Sequence, residues 1–231
     1  MSLERILTVI LLTLSTIGAT AQDDDWAQFG RYAEANAGAQ SGARAVFMGD
    51  SITDIWAQQD PDFFTLNDFV GRGISGQTTS QMLVRFRRDV IDLRPQVVVI
   101  MAGTNDIARN GGYILPENTL GNLISMCELA RANGIAVILC SIPPASRFWW
   151  REGIEPAAKV VELNAMIRDY AGRNSIPYLD YHSRLVGEDG GIPPRWSEDT
   201  CHPNAECYRT VMEPMVLDAV YGLQKRIDES K

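Results

Sequence analysis

Ala45-Val46-Phe47-Met48-Gly49-Asp50-Ser51-Ile52-Thr53-Asp54 is an apolar run that stops at Gly-Asp-Ser and passes into a helix-compatible segment. Glycine allows a tight turn, so Ser51 falls where a strand gives way to a helix. A hydroxyl at the carboxyl end of a strand, beside helix N-terminal amides, is placed for nucleophilic chemistry. Asp50 and Ser51 read equally well as caps of the following helix. The stretch alone leaves both readings open.

Moving outward, the strand–helix alternation repeats. Apolar, β-branched runs recur at Asp68–Val70, Gln96–Met101, Ile135–Cys140 and Pro177–Leu179. Amphipathic stripes lie between or after them: Leu83, Phe86, Val90 and Leu93; Leu120, Leu123, Ile124 and Cys127; Val160, Leu163, Ile167 and Tyr170; Tyr208, Val211, Met212, Met215 and Ala219. Continuous apolar strands separated by such helices predict an α/β fold, a three-layer α/β/α sandwich on a five-stranded parallel sheet. A short helix is expected around Trp26 to Ala35.

The 231 residues suit one domain, with 45% hydrophobic and 22% charged residues. A formal charge of −8 argues against non-specific nucleic-acid binding, which needs basic patches. Arg5, an apolar run from Ile6 to about Ala19 and the small-residue pattern Ala19-Thr20-Ala21 read as a secretory signal peptide over residues 1–21. The expected protein is therefore secreted or periplasmic, with residues 22–231 forming the domain. The leader is too short for a comfortable permanent membrane anchor, and no cysteine follows the cleavage site to carry a lipid. Of the four cysteines, Cys127 and Cys140 read as buried thiols. Cys201 and Cys207 suggest a loop-closing disulfide, in preference to a metal site with His202.

Ligand sites of open parallel sheets lie beyond the carboxyl ends of the strands. Gly49-Asp50-Ser51, Gly71-Arg72-Gly73, Gly103-Thr104-Asn105-Asp106 and Ser141-Ile142-Pro143-Pro144 follow the first four runs. A serine nucleophile needs a base, and the chain has two histidines, His182 and His202. Asp199, three residues before His202, can meet its Nδ1–H, fix the tautomer and stabilise the imidazolium. His182 lacks an equally placed carboxylate and reads as structural or as a substrate edge. The Ser51 amide, the Gly73 amide and the Asn105 carboxamide are the candidate oxyanion donors. Four suitable residue types after successive strand ends favour catalysis over a set of unrelated caps and turns.

These residues resemble the SGNH hydrolases, the GDSL-type esterase/lipase family. Gly49-Asp50-Ser51 is similar to the family's first block, Gly73 to the oxyanion glycine and Gly103-Thr104-Asn105-Asp106 to the block whose asparagine completes the oxyanion hole. Asp199-Thr200-Cys201-His202-Pro203 is similar to its closing Asp-x-x-His-Pro block. The resemblance spans Arg44 to about Val220. It departs from the family at Cys201, where members commonly carry a small aliphatic residue. It implies a flavodoxin-like sheet, ester hydrolysis through an acyl-Ser51 intermediate with no cofactor or metal, and a structural role for Asp50.

Gly71-x-Gly73-x-x-Gly76 also fits a dinucleotide-binding pattern, but Asp89 and Asp92 fall too early to supply its acidic residue. A non-catalytic carbohydrate-binding protein on the same fold is the rival from another class. Intact Ser51, Asp199 and His202 speak against it. Arg147-Phe148-Trp149-Trp150-Arg151 follows the fourth strand, and aromatic faces with flanking arginines suit a sugar ring or an acyl chain. Arg147, Trp149, Trp150 and His182 are thus expected at the substrate edge. The expected substrate is a small-molecule or glycan ester, a short-chain O-acetyl carbohydrate foremost, with lysophospholipids as the alternative.

Overall fold

The computed structural model describes residues 25–39 and 41–229. The expected leader lies outside them. The described residues begin with α1 (Ala33–Gly38), β1 (Ala45–Gly49), α2 (Ser51–Gln59), α3 (Pro61–Leu66), β2 (Phe69–Gly73) and α4 (Thr79–Asp89). It continues through β3 (Val97–Met101), α5 (Thr104–Ile107), α6 (Pro116–Ala132), β4 (Ala136–Cys140) and α7 (Pro156–Arg173). Last come β5 (Tyr178–Leu179), α8 (Tyr181–Leu185), α9 (Ala205–Cys207) and α10 (Glu213–Glu229). The strands pair in parallel in the order β2-β1-β3-β4-β5, the flavodoxin-like arrangement. Among the described residues no helix is long and apolar enough to cross a membrane.

Side-chain alternation along the strands separates two cores. Val46, Met48, Val98 and Ile100 face α4, α6 and α7, in a largely aliphatic layer with Met82, Phe86, Leu123 and Ile167. Ala45, Phe47, Val97 and Val99 face the opposite side, which is rich in rings. There Trp56 stacks between Phe63 and Tyr208 at centroid separations of 5.4 and 5.2 Å. Both faces of the sheet are therefore buried, as the continuous apolar strands require.

Three local expectations change. Residues 26–32 are turns and the first helix begins only at Ala33, because the Asp25 carboxylate accepts the Phe29 and Gly30 amides at 2.8 and 2.6 Å and fixes a turn there. The second strand includes Gly71-Arg72-Gly73, which the sequence set after it. In the last stripe the buried residues are Tyr208, Met212, Val216 and Val220. A π-helical turn over Tyr208–Met212 adds a residue to that turn, and the inward face then advances in steps of four.

The cysteine pairing also changes. All four thiols are free and buried. Cys201 packs with Ala108, Ala145 and Phe148, whereas Cys207 enters the ring-rich core beside Tyr208. Their proximity in sequence is spent on two separate apolar clusters.

Candidate active site

The site begins where β1 ends. Asp50 caps α2, its side chain accepting the Ile52 amide at 3.0 Å. It is buried, and burial pushes its carboxyl up to about 6 despite that hydrogen bond. The next residue, Ser51, opens the helix and is 8% exposed. Gly73 at the end of β2 lies directly against this turn. A Cβ there would stand 2.8 Å from the Asp50 carbonyl oxygen and would collide with the Asp54 amide nitrogen. Close backbone approach, rather than a positive φ, demands glycine at this position.

The Ser51 Oγ is 2.9 Å from His202 Nε2, and His202 Nδ1 is 2.6 Å from Asp199 Oδ2. Asp199 and His202 share one tight turn, in which Thr200 takes a left-handed φ of 70°. The other Asp199 oxygen accepts the Cys201 and His202 amides at 3.0 and 2.8 Å. Burial raises the Asp199 carboxyl, but the His202 ring and those two amides outweigh it and hold the group well below the usual carboxylate range. An ionised Asp199 favours a proton on Nδ1, leaving Nε2 as the acceptor for the serine proton.

Asn105 comes from α5, after β3. Its N-cap Gly103 has φ 128°, and an added Cβ would lie 2.6 Å from Ile142. The Asn105 carboxamide is buried and held at both ends: Nδ2 donates to the Gln77 carbonyl at 3.1 Å, and Oδ1 accepts from Asn110 Nδ2 at 2.7 Å. The second Nδ2 hydrogen remains available for a ligand. Asn110 in turn accepts from Trp150 Nε1 at 3.1 Å.

A cleft of about 620 Å³ opens over these groups, with Ser51, Asn105, Trp149, Trp150, Glu198 and His202 in its walls. The Trp150 ring lies 5.7 Å from the His202 ring, while Trp149 stands edge-on to Trp150 and is 68% exposed. Phe148 is the residue of the aromatic run that anchors inward. Three expected site residues do not line the cleft: Gly73, which is packed against the Asp50–Asp54 turn while Ser75 and Gly76 of the following loop reach the cleft in its place, and the edge residues Arg147 and His182. Arg147 is exposed, and its charge acts on Asp189. His182 starts in α8, where its amide donates to Ser141 Oγ at 2.8 Å and burial lowers its imidazole. Among the described residues no group of three or more His, Cys, Asp or Glu side chains could hold a metal ion.

Gln77, Asn110 and Glu198 are site neighbours that the sequence did not single out. Asn110 follows Asn105 by five residues, yet no spacing rule marks it. Gln77 reaches Asn105 only across the fold.

The model of the GDSL-like lipase/acylhydrolase family matches residues 47–210, a span that contains Ser51, Gly73, Asn105, Asp199 and His202. The chain belongs to that family. It is an enzyme of the acylhydrolase class, and its solved relatives share its overall fold. A GDSL-like lipase from Bacteroides thetaiotaomicron VPI-5482 is 45% identical, with a TM-score of 0.83 over 86% of this chain and 99% of that one. A candidate acylhydrolase from Bacteroides fragilis NCTC 9343 is 46% identical, with a TM-score of 0.84 over 86% and 98%. The uncharacterised lipoprotein YqeF of Bacillus subtilis (strain 168) is 29% identical over 142 residues, 54% of this chain. The chain spans 58% of that relative's length.

Proposed function

We propose that this acylhydrolase removes short O-acyl groups, O-acetyl foremost, from neutral carbohydrates through an acyl-Ser51 intermediate. Ser51 attacks the ester carbonyl while His202 takes its proton, with Asp199 stabilising the imidazolium. The Ser51 amide and the Asn105 carboxamide hold the oxyanion, together with a backbone amide of the loop after β2, where Gly76 rather than Gly73 lines the cleft. His202 then protonates the leaving alcohol and activates the water that releases the acid. The 2.9 Å contact between Ser51 Oγ and His202 Nε2 carries this mechanism.

The cleft walls support the substrate class. They bring the carboxylates Glu198 and Asp199 but no lysine or arginine, and they present Trp149 to solvent in the same cleft as the reacting serine. Carboxylates repel a phosphate headgroup, and an exposed indole suits the apolar face of a sugar ring. The leader-like residues 1–21 and the lipoprotein relative support a secreted or periplasmic setting, with residues 22–231 as one hydrolase unit.

The test is a panel of acetylated sugars, lysophospholipids and acetyl and octanoyl nitrophenyl esters, run on wild type and Ser51→Ala. Acetyl esters should be turned over by wild type alone, with both proteins melting at the same temperature. A preference for octanoyl esters or lysophospholipids would overturn the substrate class. Activity in a folded Ser51→Ala protein would overturn the mechanism.

A further inference from the structure

Beside Asn105 stands a side chain that the mechanism above does not use, that of Asn110. The end of α5 explains how a residue five positions on comes to lie there. Arg109 takes a left-handed φ of 57°, its amide donates to the Asp106 carbonyl, and the Asn110 amide donates to the Asn105 carbonyl, both at 3.0 Å. These two bonds form the Schellman closure, which folds the chain back over the last turn of a helix. An arginine rather than a glycine holds its left-handed position, so nothing in the sequence announces it.

Asn110 is half-buried in the wall of the cleft, and its polar atoms are spent within the protein. Nδ2 donates to Asn105 Oδ1 at 2.7 Å and to the Gly76 carbonyl at 3.3 Å. Oδ1 accepts from Trp150 Nε1 at 3.1 Å. Both amide hydrogens are committed, so Asn110 has no donor left for a substrate.

A carboxamide has nearly the same shape when turned end for end, so packing alone does not decide which of its atoms points where. Partners of fixed polarity do. An indole N–H can only donate, and it selects the oxygen of Asn110; the Gly76 carbonyl can only accept, and it selects the nitrogen. Asn110 then offers N–H to Asn105, which must meet it with oxygen. At the far end the Gln77 carbonyl, again an acceptor only, takes Asn105 Nδ2 at 3.1 Å. The four contacts agree on one polarity along Trp150, Asn110 and Asn105, and they leave Asn105 an N–H rather than a lone pair to offer. The two asparagines also donate to successive carbonyls, those of Gly76 and Gln77, which ties the loop after β2 to the loop after β3.

We propose that Asn110 is a positioning residue of the oxyanion hole, itself oriented by the Trp150 indole N–H, which keeps an Asn105 N–H turned to the reacting carbonyl and the Gly76 loop beside it. The proposal rests on the reading that Asn105 holds the oxyanion. Positioning of this kind acts on charge that develops in the transition state, so its loss lowers kcat and leaves KM unchanged. A side chain that only filled space would alter melting temperature, and an isosteric replacement would serve in its place.

The test uses the full chain with nitrophenyl acetate and measures kcat, KM and thermal melting. Asn110→Ala should lower kcat about threefold to tenfold at unchanged KM. Asn110→Asp keeps the shape but sets a carboxylate oxygen against Asn105 Oδ1, so its loss in kcat should exceed that of Asn110→Ala and reach about tenfold or more. Trp150→Phe removes the indole N–H and keeps a ring. Because that N–H acts through Asn110, the fall in kcat should be smaller in the Asn110→Ala background than in wild type, by about twofold or more. Wild-type kcat in folded Asn110→Ala or Asn110→Asp, a change confined to KM or to melting, or a Trp150→Phe loss of the same size in both backgrounds overturns the proposal. If Asn110→Ala does not fold, wild-type kcat in folded Asn110→Asp or Trp150→Phe overturns it. Asn105→Ala separates the two levels. If it keeps kcat, the oxyanion reading fails and this proposal with it. If it loses kcat while the folded Asn110 variants keep theirs, only this proposal fails.

Discussion

Asp199 and His202, the proposed proton-transfer pair, lie three residues apart on a single turn, with their mutual contacts made almost wholly within Ser197–His202. The proposed oxyanion donors, the Gly76 loop and the Asn105 carboxamide, follow different strands. Asn105 is held by Gln77 and Asn110, and Asn110 also donates to the Gly76 carbonyl at 3.3 Å. The difference teaches how the two tasks are met. Orienting one imidazole needs one carboxylate nearby, and a tight turn supplies it. Aiming donors from separate loops at a single oxygen needs those loops locked to one another, and only long-range contacts can do that.

Removal of the imidazole breaks the local side. His202→Ala is expected to cost about a millionfold in kcat, whereas His182→Ala, outside the cleft, should leave kcat/KM unchanged. The opposite result in steady-state assays would move the base to the other histidine. On the dispersed side, Asn105→Ala should cost about 100- to 1,000-fold in kcat with little change in KM. A loss no larger than that of a surface substitution would mean that the oxyanion is held elsewhere.

The smallest expected effect concerns stability, and it sharpens the contrast between the buried Asp50 carboxyl and the half-buried Asp199 carboxyl. Asp199 is held below the ordinary range, so the stability it contributes is present above about pH 4 and is lost as the solution becomes more acid. Asp50 is raised from 3.8 to about 6, so its contribution runs the other way: present below about pH 4 and lost as pH rises through 6. Asn also caps helices, so Asp50→Asn should keep α2 in place and remove the cost of ionising the buried carboxyl. That cost is about 3 kcal/mol at most. The variant should melt several degrees higher than wild type at pH 8 relative to the comparison at pH 4. Parallel melting curves at the two pH values would show that Asp50 titrates as an ordinary surface acid.

Much of this architecture was legible before any coordinates. Runs such as Gln96–Met101 and Ile135–Cys140 overlap the observed strands to within one residue at each end, because buried parallel strands leave an unbroken apolar signal. Short-range turn chemistry was harder to read. The Asp25 turn replaced an expected helix, and a π-helical turn shifted the last apolar face. The Cys201–Cys207 spacing invited a bridge, but each side chain found its own apolar cluster. Arg147 stands two residues before Trp149 in the chain, yet its charge acts on Asp189, and the charged side chains left in the cleft are carboxylates.

By itself the sequence determined the parallel sheet and the run of loops at its carboxyl edge, and it singled out Ser51, Asn105, Asp199 and His202, which the fold brings to one cleft. Each of those is written locally, as a periodicity, a turn or a spacing of a few residues. Only the tertiary structure decided that Gln77 and Asn110 brace Asn105, which aromatic side chain faces solvent and which arginines stay outside. The physical reason is range. Backbone and burial preferences act between near neighbours along the chain, whereas hydrogen bonds that lock one loop to another exist only once packing has brought the loops together.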